Sequence, residues 1–128
     1  MQIINRKDIP GKVFPGRTRW PAFGSEEAAF QIDDASVGFA RFSLEAGPME
    51  PHKHENEILY VLDCKDAFML YGDTKDVQSK QPLQVGDIFR MKEGEWHCFS
   101  FENQEGYLEM ITFYATADRH VVTASMVE

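Results

Sequence analysis

Apolar and aromatic residues in this chain come in short alternating runs, broken every several residues by glycine, proline, asparagine or aspartate. Val37 to Glu45 sets the pattern, with Ala40, Phe42 and Leu44 on one face and Phe39, Arg41, Ser43 and Glu45 on the other. A period of two is the signature of a half-buried strand. The same reading gives strands over Ala28 to Ile32, Glu57 to Leu62, Ala67 to Tyr71, Ile88 to Met91 and Tyr107 to Tyr114. A short exposed strand is expected at Asp76-Val77-Gln78, and another carries His97, Phe99 and Phe101 on one face. Turns are expected at Asp63-Cys64-Lys65-Asp66, Gly72-Asp73-Thr74 and Glu93-Gly94-Glu95. Ser25-Glu26-Glu27 can open one helical turn, but no longer segment keeps a helical period. About eight or nine short strands without a helix make an all-β sandwich or small barrel.

Pro51 to Leu62 carries the chemistry. His52 and His54 stand two residues apart, so on extended backbone both imidazoles aim at one point. Glu57 has the opposite parity and joins them where the chain bends or bulges near Glu55-Asn56. Two imidazoles and a carboxylate suit a divalent transition metal. The third histidine, His97, follows a second stretch that runs from Gly86 through Gly94.

Together these stretches resemble the two motifs of the cupin superfamily. Gly47, His52, His54 and Glu57 match the first, with two spacings one residue shorter, and Gly86, Gly94 and His97 match the second. Asp63, Cys64 and Lys65 stand where the first motif closes on glycine. Lys92 replaces a proline and Phe101 an asparagine. None of these departures removes a candidate ligand; they bear on the shape of the turns and on the subfamily. The resemblance implies a double-stranded β-helix, or jelly-roll, barrel. It also implies one divalent metal (Fe, Mn, Ni, Co or Zn) held by His52, His54, Glu57 and His97. One domain over residues 1–128 follows, with an N-terminal arm to about 24, a barrel over about 25–116 and a weakly patterned tail over about 117–128. Arms of this kind cross onto a neighbouring subunit in the family, so a homodimer is expected. The family implies a small-molecule metalloenzyme of dioxygenase or isomerase/lyase type, or a barrel that binds a metabolite or sugar without turnover.

Other residues are assigned by type. Arg41 and Arg90 are candidates to hold a substrate carboxylate, and Tyr60 and Tyr114 to donate protons. Phe99, Phe101, Leu59 and Val61 share parity with nearby ligands and are expected to face the cavity, with Met91 as a further lining residue. Arg17 and Arg19 read as solvated arginines on a loop, with an anion contact at the mouth of the barrel as the alternative. His120 reads as an exposed histidine. Cys64 and Cys98 read as reduced thiols, Cys98 pointing away from the metal. A net charge of -8 without a basic cluster argues against nucleic acid or anionic membrane as partner. The first eight residues hold no long apolar core and no run approaches bilayer length, so a cytoplasmic location is expected.

Overall fold

The computed structural model describes residues 1–127, so Glu128, the last residue of the expected tail, lies outside the described residues. Twelve strands form two sheets. They are β1 (Lys12–Phe14), β2 (Arg17–Gly24), β3 (Phe30–Gln31), β4 (Ser36–Ser43), β5 (His52–Lys53) and β6 (Glu57–Lys65). β7 (Ala67–Gly72), β8 (Ser79–Pro82), β9 (Ile88–Met91), β10 (Trp96–Phe101), β11 (Tyr107–Tyr114) and β12 (Val122–Thr123) complete the set. One sheet runs β1-β2-β4-β11-β6-β9 with β3 beside β2, and the other runs β12-β5-β10-β7-β8. Apart from the parallel pair β2 and β3, neighbours are antiparallel. This is the double-stranded β-helix expected of the sequence.

Alternation decides what each strand buries. Ala40 and Phe42 of β4, Leu59 and Val61 of β6, and Leu108 and Met110 of β11 point inward and meet Met69 and Phe99 from the other sheet. On β6 the register shifts opposite Glu109 and Met110, so that Leu62 is the extra residue. The bulge flips the parity, and Cys64 packs against the core three positions after Val61. The expected turn at Asp63 is therefore late. The strand runs to Lys65, and Asp66 makes the turn with φ +50°.

Two other expectations change. Arg17 to Gly24, read as the end of an arm, is a full strand paired to β4. Pro21 disguised it, because proline demotes a strand pattern, and it sits here where the pairing with β4 shifts register. Asp76-Val77-Gln78 is not a strand: a turn closes from Thr74 to Val77, which has φ 41°, and the strand follows as β8. The tail is not free either. β12 pairs with β5, placing Thr123 opposite His52.

Gly38 lets β2 and β4 close at this bulge. A Cβ there would stand 2.8 Å from the Trp20 carbonyl oxygen and 3.0 Å from the Pro21 Cα, both backbone atoms that cannot swing aside. Gly38→Ala should destabilise the fold by roughly 1–3 kcal/mol, read by urea unfolding. Unchanged stability would contradict this close approach.

Candidate metal centre

His52 on β5 is the cross-strand partner of His97 on β10. Their ring centroids are 4.4 Å apart. His54 follows β5, and the backbone bends at Glu55 before β6 begins at Glu57. Asn56 Oδ1 fixes that bend by accepting from the Glu93 amide at 3.0 Å and from Arg90 at 3.1 Å. Gly94, at φ +79°, takes the left-handed turn conformation that glycine favours and donates its amide to the His54 carbonyl at 3.2 Å. The bend brings Glu57 Oε1 to 3.4 Å from His54 Nε2 despite its opposite parity.

The three imidazoles share one arrangement. Each Nδ1 donates to a backbone carbonyl: His52 to Glu50 at 3.2 Å, His54 to Glu55 at 2.7 Å and His97 to Glu95 at 2.9 Å. A neutral ring whose proton sits on Nδ1 presents a bare lone pair on Nε2. His54 Nε2 and His97 Nε2 stand 3.1 Å apart. With both protons committed to carbonyls, neither nitrogen can donate to the other, and two lone pairs at that distance repel. One potential ligand atom from each of the three rings lies within 4.8 Å of the others. A cation between them turns that repulsion into coordination, so these residues fit a divalent metal.

Electrostatics agree. Burial above all, with the neighbouring ring adding, holds His52, His54 and His97 each at a pKa of about 4. All three are neutral, as ligands must be. Burial pushes Glu57 the other way, up to about 7, while a hydrogen bond from the Tyr114 phenol and the charge of Arg119 pull it down. Tyr114 is the cross-strand partner of Glu57, and Arg119 Nη1 donates to its phenol oxygen at 2.7 Å. Burial, then the Glu57 charge, raises the Tyr114 phenol far above its usual range, so it stays a donor.

These shifts set a pH dependence for metal-free protein. An unfolded histidine binds a proton below about 6.5 that the folded rings refuse, so stability falls as pH drops from 6.5 toward 4. Glu57 opposes this, since its raised pKa favours the fold at low pH and that benefit fades as pH rises from 4.5 to 7. Three histidines outweigh one glutamate. Chelated protein should lose on the order of a few kcal/mol between pH 7 and pH 5 in urea unfolding; equal stability at the two values would contradict the buried, neutral rings.

A cavity of about 570 Å³ opens over the imidazoles. Phe42, Leu59, Phe99 and Met49 give it apolar wall, as expected for Leu59 and Phe99, whereas Val61 and Met91 lie in the core and Phe101 packs against it. Tyr114 is in the cavity. Two other candidates are not. Tyr60 points outward from β6, 42% exposed, because it falls between the inward Leu59 and Val61. Arg41 lies on the outer face of β4, bound to Glu109 at 2.8 Å and stacked on Tyr107. Arg90 is also outside, held by Asn56. His120 is exposed and bonds Glu55. Cys98 is buried on the strand face opposite His97, and Cys64 is a free thiol as well.

Sequence alone gave Arg119 no role, and for Arg17 and Arg19 it offered an anion contact only as the alternative to solvated loop residues. Arg17 and Arg19 line the cavity from β2 rather than a loop, and Arg119 enters from the segment after β11. The i, i+2 spacing of Arg17 and Arg19 was the available signal, hidden by the prolines on either side. Arg119 lies in a stretch without periodicity and gave none.

The family model described as "Cupin domain" matches residues 41–114, more than half of the chain. The chain belongs to the cupin family. No curated protein matches this cupin by sequence. Among solved structures, it is similar to the polyketide cyclase RemF from Streptomyces resistomycificus, with a TM-score of 0.73 and 19% identity over 97% of this chain and 85% of that one. A sugar phosphate isomerase from a cupin superfamily of Silicibacter pomeroyi gives a TM-score of 0.64 at 16% identity, over 98% and 83% of the two chains. Bacillus subtilis oxalate decarboxylase gives 0.68 at 14% identity, over 93% of this cupin and 31% of that chain. At these identities the likeness is one of fold. No helix among the described residues is long and apolar enough to cross a membrane.

Proposed function

We propose that this cupin is a metal-dependent enzyme acting on a small molecule in the cavity, with His52, His54, His97 and Glu57 holding one divalent transition metal. The observation that carries the reading is the set of bare Nε2 lone pairs beneath an open cavity. When bound, such a metal supplies Lewis acidity and, in the case of Fe(II), one-electron chemistry with dioxygen. The chain does the rest. The Tyr114 phenol, fixed by Arg119 and in register with Glu57 on the next strand, favours the charged form of that carboxylate. Phe42, Leu59 and Phe99 keep water from the inner end of the cavity.

The reaction class follows from which proton acceptors are left. Glu57 is taken up as the fourth ligand, its Oε1 3.4 Å from His54 Nε2, and Glu50 is held by the Ser125 hydroxyl at 2.9 Å and amide at 3.2 Å. Among the described residues that line the cavity, no further carboxylate stands ready to take a proton from substrate. This favours oxygenase chemistry over an isomerase or lyase, which needs a protein base. Fe(II)-loaded protein should consume oxygen with at least one member of a panel of small organic molecules, and His54→Ala should not. Solvent deuterium entering a panel compound without oxygen uptake would replace the oxygenase reading by the isomerase or lyase one. Binding without either would make the protein a ligand-binding module.

A further inference from the structure

Arg17 and Arg19 stand two residues apart on β2 and point to the same side, into the cavity. Arg119 reaches the same cavity from the other end of the chain. Among the described residues, none of the three has a carboxylate within ion-pair distance. Arg119 is held by the Tyr114 phenol and lies over its ring, and Arg17 lies over the Phe14 ring at 5.2 Å. Of the carboxylates that line the cavity, Glu57 has Oε1 3.4 Å from His54 Nε2 and Glu50 is bonded to Ser125. Burial and then the charge of Arg119 lower Arg17, and lower Arg19 to about 10, so an anion in the cavity would offset both effects. A chain of net charge -8 has ample acid to neutralise three guanidinium groups, yet leaves them facing this space.

We propose that Arg17, Arg19 and Arg119 form an oxyanion-binding wall, and that the molecule bound here is an organic acid or phosphate ester with an apolar body. Guanidinium forks match the planar oxygens of a carboxylate or the oxygens of a phosphate, and they bind both more strongly when half-buried. Phe14, Phe42, Leu59 and Phe99 offer the apolar body its contact surface. A volume of about 570 Å³ lies within the range of small-molecule sites. That this molecule is a substrate rests on the metal-enzyme reading; the anion contact does not.

Calorimetric titration of benzoate, phenyl phosphate and benzamide into chelated and into Zn(II)-loaded protein tests this. In both forms, benzoate or phenyl phosphate should bind at least about tenfold more tightly than the neutral benzamide. Arg17→Gln/Arg19→Gln should remove most of that preference, leaving only what Arg119 supplies. No preference in the wild-type protein, including no binding by any of the three, overturns the proposal without recourse to a variant. So does a folded Arg17→Gln/Arg19→Gln protein that keeps most of the preference. A preference seen only with zinc bound would assign the anion to the metal, and the arginine wall would fall while the metal reading stood. An arginine-dependent preference in protein that takes up no zinc would keep the wall and remove the metal.

Discussion

Replacing His97 with alanine should strip this cupin of metal. His97 is 2% exposed, donates Nδ1–H to the Glu95 carbonyl and sets Nε2 3.1 Å from that of His54. The change removes one of the three imidazoles proposed as ligands and leaves the others facing a hole. Loss of a group that merely orients a ligand weakens metal affinity 10–100-fold, so loss of the ligand should cost on the order of 100-fold or more. After chelation, reloading and dialysis, elemental analysis should find roughly one metal per chain in the wild-type protein and about a tenth of that, or less, in His97→Ala. His120→Ala is the control, because that ring is exposed and turned to Glu55. Full occupancy in His97→Ala would end the assignment.

Leu108→Ala should have the largest effect on the fold. Leu108 is 0% exposed on β11, between Phe42 of β4 and Cys64 of β6 in register, and inside the core shared by both sheets. Three methyl-sized groups would be lost from a site whose walls are strand backbone on both sides, so the cavity collapses little. The expected cost is about 2–5 kcal/mol, which lowers the melting temperature by roughly 10 °C or more. Phe113→Ala, on the same strand but 38% exposed on its outer face, should cost about 1 kcal/mol or less. Equal losses at the two positions would contradict the inward and outward assignment of β11.

The strands and the histidine cluster were legible because both depend on local parity. Alternation over residues 37–45 and 107–114 marks the inner faces, and the His52, His54 spacing needs only an extended backbone. Glu57 was legible on condition of a bend, which Asn56 supplies through contacts to Glu93 and Arg90. What escaped depends on pairing between distant segments. Pro21 is tolerated in β2 because the strand pairing slips there, and sequence alone does not show where a register slips. Arg41 and Tyr60 drew notice by residue type, but their faces were fixed by Ala40, Phe42, Leu59 and Val61 beside them, which bury the other side. The tail over residues 117–127 has no pattern of its own, and it is ordered by β5, by Glu55 and by Glu50.

X-ray absorption at the zinc edge of Zn(II)-loaded protein tests the meeting of the three rings most directly. The spectrum should fit three imidazole nitrogens with light oxygen neighbours, as the bare Nε2 atoms of His52, His54 and His97 require. Sulfur scattering from Cys64 or Cys98, or a fit with fewer than three imidazoles, would contradict it.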